Sequence, residues 1–90
     1  HDASHAARLA ALGAADQEEW LSRLGPRTVG VTLSDWTPLG DRMPPGSGSV
    51  RWKSLRWQMK DSMLRVLSLD SAYPGTLFED ALREAKHMGF

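Results

Sequence analysis

Five cations and two indoles crowd into one short stretch of this 90-residue chain: Arg51, Trp52, Lys53, Arg56, Trp57, Lys60 and Arg65. The chemistry such a set offers is recognition. Trp and Arg most often dominate the energy of protein contacts, and cations interleaved with rings also hold anionic membrane surfaces and single-stranded nucleic acid. Sets that make or break bonds are missing. There is no cysteine, which excludes disulfides, thiolate nucleophiles and thiolate metal sites. No serine has a Gly-x-Ser-x-Gly setting. Gly46-Ser47-Gly48-Ser49 lacks the lysine of a phosphate-binding loop. His1 and His5 have the i,i+4 spacing that serves a metal on one helical face, but only Asp2 stands near as a third ligand. They read as surface histidines. The helical carboxylates fall at capping or solvent positions, not in the apolar surroundings that raise a pKa. The expectation is a chain that is no enzyme and carries no metal and no cofactor.

The element that must position this set is residues 49–68. At 100° per residue, Trp52, Leu55, Met59, Met63, Val66 and Leu67 fall within an arc of about 120°, with Ser54, Gln58, Asp61, Ser62, Arg65 and Ser68 opposite. This predicts one long amphipathic helix with Ser49 as its N-cap. Lys53, Trp57, Lys60 and Leu64 line one edge of the stripe, and Arg56 intrudes on the apolar face. The Lys and Arg stems either lie over the stripe with their charges in water, or the edge is a contact surface.

Upstream, residues 1–13 predict an alanine-rich helix ending near Gly13. Residues 16–24 predict a second, with Asp16 and Glu19 as a capping-box variant and Gly25-Pro26 as its stop. The acidic Asp16–Glu19 segment is opposite in sign to the basic stretch, so the two are expected to pair. Residues 28–34 alternate Val29, Val31, Leu33 with Thr28, Gly30, Thr32, a β period with no second convincing strand to join. Such a strand either crosses the helices as an extended segment or adds to another chain's sheet. Residues 35–49 are rich in Pro and Gly and predict a loop, yet they hold Trp36, Leu39 and Met43 as anchors. After a turn at 69–75, Thr76 with Glu79 predicts a capped last helix ending at Gly89 and packing on the central stripe.

The fold class expected from this is mainly α: three or four short helices, one extended segment and a long Pro/Gly-rich loop. The chain is expected to be one small unit, with a helical part at 1–25, extended segment and loop at 26–48, and a helical hairpin at 49–90. Net charge is zero, so no whole-molecule field draws it to nucleic acid or anionic lipid. No apolar run reaches the ~18 residues of a membrane span. Beginning at His1, the sequence is expected to be a fragment or a processed product, compatible with an organelle after loss of a targeting peptide.

Lys53-Ser54-Leu55 opening a helix after a long loop, with Tyr73-Pro74-Gly75-Thr76-Leu77-Phe78 downstream, faintly resembles an acyl carrier domain over about half the chain. The resemblance implies phosphopantetheine on Ser54. Lys53 stands where that family has aspartate, and the helix is basic where carriers are acidic. The leading expectation is therefore a small non-catalytic interaction subunit that drapes over and stabilises a larger complex, such as a photosynthetic, respiratory or ribosomal one. Its contacts are expected at Trp36, Leu39, Met43, Arg51, Trp52, Lys53, Arg56, Trp57 and Lys60. The alternative is a self-sufficient binding module, either carrier-like through Ser54 or for anionic surfaces through residues 50–65. Protein partners are expected first, contact with a membrane surface second, and nucleic acid least.

Overall fold

A computed structural model describes all 90 residues. Asp2 caps helix α1 (Ala3–Ala11): its Oδ1 accepts the His5 amide at 3.2 Å, which satisfies one of the free donors of the first turn. Gly13, at φ +87°, turns the chain out of that helix. Asp16 caps α2 (Gln17–Leu24), and a 3-10 turn at Gly25–Arg27, with Pro26 inside it, ends the helical start.

The chain then runs into β1 (Gly30–Leu33), and from there the fold class departs from expectation. β1 pairs in parallel with β4 (Leu64–Leu67), in the register Gly30 with Leu64 through Leu33 with Leu67. Residues 1–2 lie parallel on the other edge of β1: the Thr32 amide donates to the His1 carbonyl at 2.7 Å and the His1 nitrogen to the Gly30 carbonyl at 3.0 Å. The expected loop holds a hairpin, β2 (Asp35–Thr37) antiparallel to β3 (Gly40–Met43), with a bulge between Asp35 and Thr37. The molecule is a small α/β unit with two sheets; the mainly α reading with a single extended segment does not hold.

The single long helix expected over 49–68 does not form. Helix α3 spans only Trp52–Gln58. Met59 leaves it in extended conformation, Lys60 to Met63 make a turn, and Leu64–Leu67 become a strand. The tetrapeptide Leu-Arg-Val-Leu fits either period, and what decides it is the row of backbone donors and acceptors on β1 that need a partner. β1 therefore needs no other chain. The helical hairpin expected over 49–90 is interrupted by β4 between α3 and α4 (Gly75–His87). Ser49 does not cap α3; its hydroxyl donates to the Trp36 carbonyl at 2.7 Å, and α3 starts after Arg51 with no side-chain cap. Nor does Thr76 cap α4, which begins one residue earlier behind Pro74.

The core forms where α1, α2, β1, α3 and the end of α4 converge. Ala3 and Ala7 of α1, Leu21, Val31 and Leu33, Val50, Trp52, Leu55, Met59, Met63 and Ala85 make one cluster, with Trp36, Leu67, Met88 and Phe90 against it. The alanines of α1, too small to stabilise a helix alone, let that helix lie close to β1 and the hairpin. Helix α4 meets the core at its C-terminal end: Ala85 is buried, and the Phe90 ring stands edge-on to Trp52 at 5.7 Å. At the other end of α4, a Cβ on Gly75 would meet open space. Gly75→Ala is expected to raise stability by about 0.5–1 kcal/mol through a narrower unfolded ensemble, read as a higher urea midpoint. An unchanged or lower midpoint would show that the glycine is needed there.

Candidate functional site

The tertiary structure sorts the basic-aromatic stretch into an inner and an outer half. Trp52, which the helical period puts on the apolar stripe and which also stands among the expected partner contacts, is buried: the face of α3 that carries it and Leu55 turns toward α2 and the core. Its indole Nε1 donates to Asp35 Oδ2 at 2.8 Å. Trp57 lies on the opposite side of the same helix and is 89% exposed. Lys53 is one helical turn before it, on the same face.

Around Trp57 is an open groove of about 720 Å³, lined by Trp52, Lys53, Arg56, Trp57, Met59 and Met88. A second, shallower concavity continues over Arg51, Lys53 and Ser54. Arg56 builds one wall. Its Nε donates to the Gly89 carbonyl at 2.9 Å and its guanidinium pairs with Asp61 at 2.9 Å, so it ties the segment after α4 to α3. The positive φ of Gly89, +95°, returns the chain so that Phe90 can reach Trp52. The groove is therefore made by two segments distant in sequence, and the expected packing of the last helix on the central stripe is met at its C-terminal end, through Ala85, Met88 and Phe90.

The electrostatics are more selective than the sequence suggests. Arg51 donates to Glu18 at 2.8 Å and to Asp16 at 3.2 Å, the pairing expected between the acidic and basic segments. A hydrogen bond and the charge of Glu18, then the charge of Asp16, hold its pKa above the ordinary guanidinium value. A cation whose folded pKa is raised contributes stability that is complete below its unfolded pKa and lost as pH rises through the folded one. Arg51 thus stays charged throughout the neutral range, and as an exposed, solvent-screened pair it orients α2 against α3 rather than holding them. Arg65 spends its guanidinium on the carbonyls of Met63 and Asp61, at 2.7 and 3.2 Å. Lys53 and Lys60 take part in none of the six ion pairs.

The loop residues separate as well. Leu39 is at the tip of the β2–β3 hairpin, 98% exposed, while Trp36 is half-buried against the core and Met43 accepts the Thr37 hydroxyl at 3.5 Å. These three do not share a surface with the α3 groove. Ser54, the residue singled out by the carrier resemblance, is half-buried in the first turn of α3, beside a cleft of about 10 Å³. No group of three or more His, Cys, Asp or Glu is placed to hold a metal.

Two features were missed from sequence. Asp35 is fully buried with four N–H donors around its carboxylate. The other is the outer side of β4. β4 has β1 on one edge and no strand on the other, and Leu64 and Val66, which share a face with Gly30 and Thr32, are 68% and 52% exposed. Val29 next to them is exposed too. Had 64–67 been read at period two, Leu64 and Val66 would have stood out as one face.

No protein-family model, no curated protein and no solved structure matches this chain. No helix is long and apolar enough to cross a membrane.

Trp57 contributes little to the core. Trp57→Ala is expected to change stability by less than ~0.5 kcal/mol, as exposed substitutions do, while removing the most solvent-exposed indole emission. A large loss of stability would mean that the side chain is packed in solution.

Proposed function

We propose that this chain is a small non-catalytic interaction subunit that stabilises a larger protein assembly, of the kind found in organellar membrane complexes or the ribosome. The observation that carries the reading is the outer side of β4. Parallel strands are found almost only where both faces of the sheet are covered and the edges are paired or protected. Here one face of the β1–β4 pair is packed by Val31 and Leu33, and the other presents Leu64 and Val66 to water beside an unpaired strand edge. A partner that covers this side would satisfy the free edge groups and bury two apolar side chains, Leu64 and Val66. Exposed Trp57 supplies a second apolar contact.

The test is the size of the species that contains the chain in extracts of its own cells. The wild-type chain is expected in an assembly far above its 10.0 kDa. The double variant L64K/V66K, folded by circular dichroism because both positions are exposed, is expected to run as the free chain. A wild-type chain that runs free in the extract would overturn the reading. So would a double variant that stays in the assembly, as far as the β4 side is concerned.

A further inference from the structure

We infer that the groove on α3 is a docking site for an acidic segment of a protein partner that inserts one large apolar side chain beside Trp57. This rests on the interaction-subunit reading and gives its partner a chemistry. The argument is charge complementarity combined with the shape of the groove. Lys53 stands at the groove without a carboxylate, next to an indole that is almost fully in water. Its neighbours Arg51 and Arg56 are already neutralised by Glu18, Asp16 and Asp61. A carboxylate on the partner would pair with Lys53, and an apolar side chain would lie between the Trp57 ring and the thioethers of Met59 and Met88. Methionine adapts to such an insert because its side chain is unbranched and polarisable. Arg56 keeps the Met88 wall in place through Gly89.

The same pairing argues against the other anionic occupants. A nucleic acid or an anionic bilayer gains affinity in proportion to the number of cations that can meet its phosphates. The stretch has five cations, but Arg51 and Arg56 are paired with carboxylates and neither Lys60 nor Arg65 lines the groove, which leaves Lys53 as its one unpaired cation. That is too little for a polyanion and enough for a carboxylate beside an apolar anchor.

The experiment is a selection of short linear peptides from a displayed library on the full chain, with the W57A chain for counter-selection. The selected peptides are expected to carry Leu, Met or an aromatic residue beside Asp or Glu. W57A and K53E should each weaken them by about tenfold or more, the size of a contact hot spot. Replacing the peptide's acidic residue by Lys should restore binding to K53E. Circular dichroism and an unchanged unfolding midpoint keep both variants interpretable. The inference is overturned if no peptide is selected, if the selected peptides lack acidic residues, or if W57A binds them as well as the parent. It is also overturned if phosphatidylserine vesicles or oligo(dT) bind through Trp57 in place of a peptide. An L64K/V66K chain that leaves the cellular assembly while W57A fails to alter peptide binding would sink the groove and leave the subunit reading standing.

Discussion

Asp35→Asn should unfold at a far lower urea concentration than the parent chain, with a loss on the order of 3 kcal/mol out of a total of ~5–15 kcal/mol typical of a domain. The physics lies in the four donors. Oδ1 accepts the amides of Trp36 and Val50, both at 2.9 Å; Oδ2 accepts the Gly46 amide at 3.0 Å and the Trp52 indole at 2.8 Å. The residue is fully buried, so no water replaces a lost bond. Asparagine has nearly the same shape but only one accepting oxygen. Whichever way its amide is turned, an NH2 group faces two N–H groups, and those donors stay desolvated and unpaired. Asp35→Ala exposes all four to the same fate and should be worse. Because the bonds come from positions 36, 46, 50 and 52, the carboxylate clips the whole proline-rich loop to the start of α3. Hydrogen exchange at Gly46 and Val50 should accelerate in both variants by more than at Val31. An Asp35→Asn midpoint within about 0.5 kcal/mol of the parent would refute the clip.

Gly48→Ala is the second large effect, expected at about 3 kcal/mol. The reason is space. A Cβ at this position would fall 2.6 Å from Asp35 Oδ1 and closer still to the Trp36 carbonyl oxygen. Neither can yield: the carboxylate is held by its four donors, and the carbonyl accepts the Ser49 amide at 2.9 Å and the Ser49 hydroxyl at 2.7 Å. The loop would have to move away from β2, and the Asp35 and Ser49 bonds would lengthen together. The two substitutions should therefore be strongly non-additive, the double variant losing much less than the sum, since both break one network. Additive losses in urea denaturation would mean that Gly48 and Asp35 act separately.

Both sites show what a loop assignment hides. Pro38, Pro44, Pro45, Gly40, Gly46 and Gly48 marked residues 35–49 as irregular, and the apolar anchors among them signalled that the segment was held. What holds it is a carboxylate, and the cue was slight: an Asp closing an alternating run, next to a Trp. The hairpin inside the segment was equally hard to see, because Gly-Asp-Arg-Met of β3 has poor strand propensity and pairs only because Asp35–Thr37 runs beside it.

Sequence alone determined the helices whose signals are local: α1 up to Gly13, α2 with its Asp16 cap, and α4 with its stop at Gly89. It also determined the β period of 30–33 and the attraction between Asp16–Glu19 and the basic stretch, realised at Arg51. Tertiary structure alone decided that 64–67 is a strand and that Met88 and Arg56 make a groove beside Lys53; the helical period had already put Trp52 on the apolar stripe and Trp57 at its edge. The physical reason is range. A cap or a stop is settled by residues three or four positions away, whereas a strand exists only when another backbone offers its donors and acceptors, and the partner of Leu64 is Gly30.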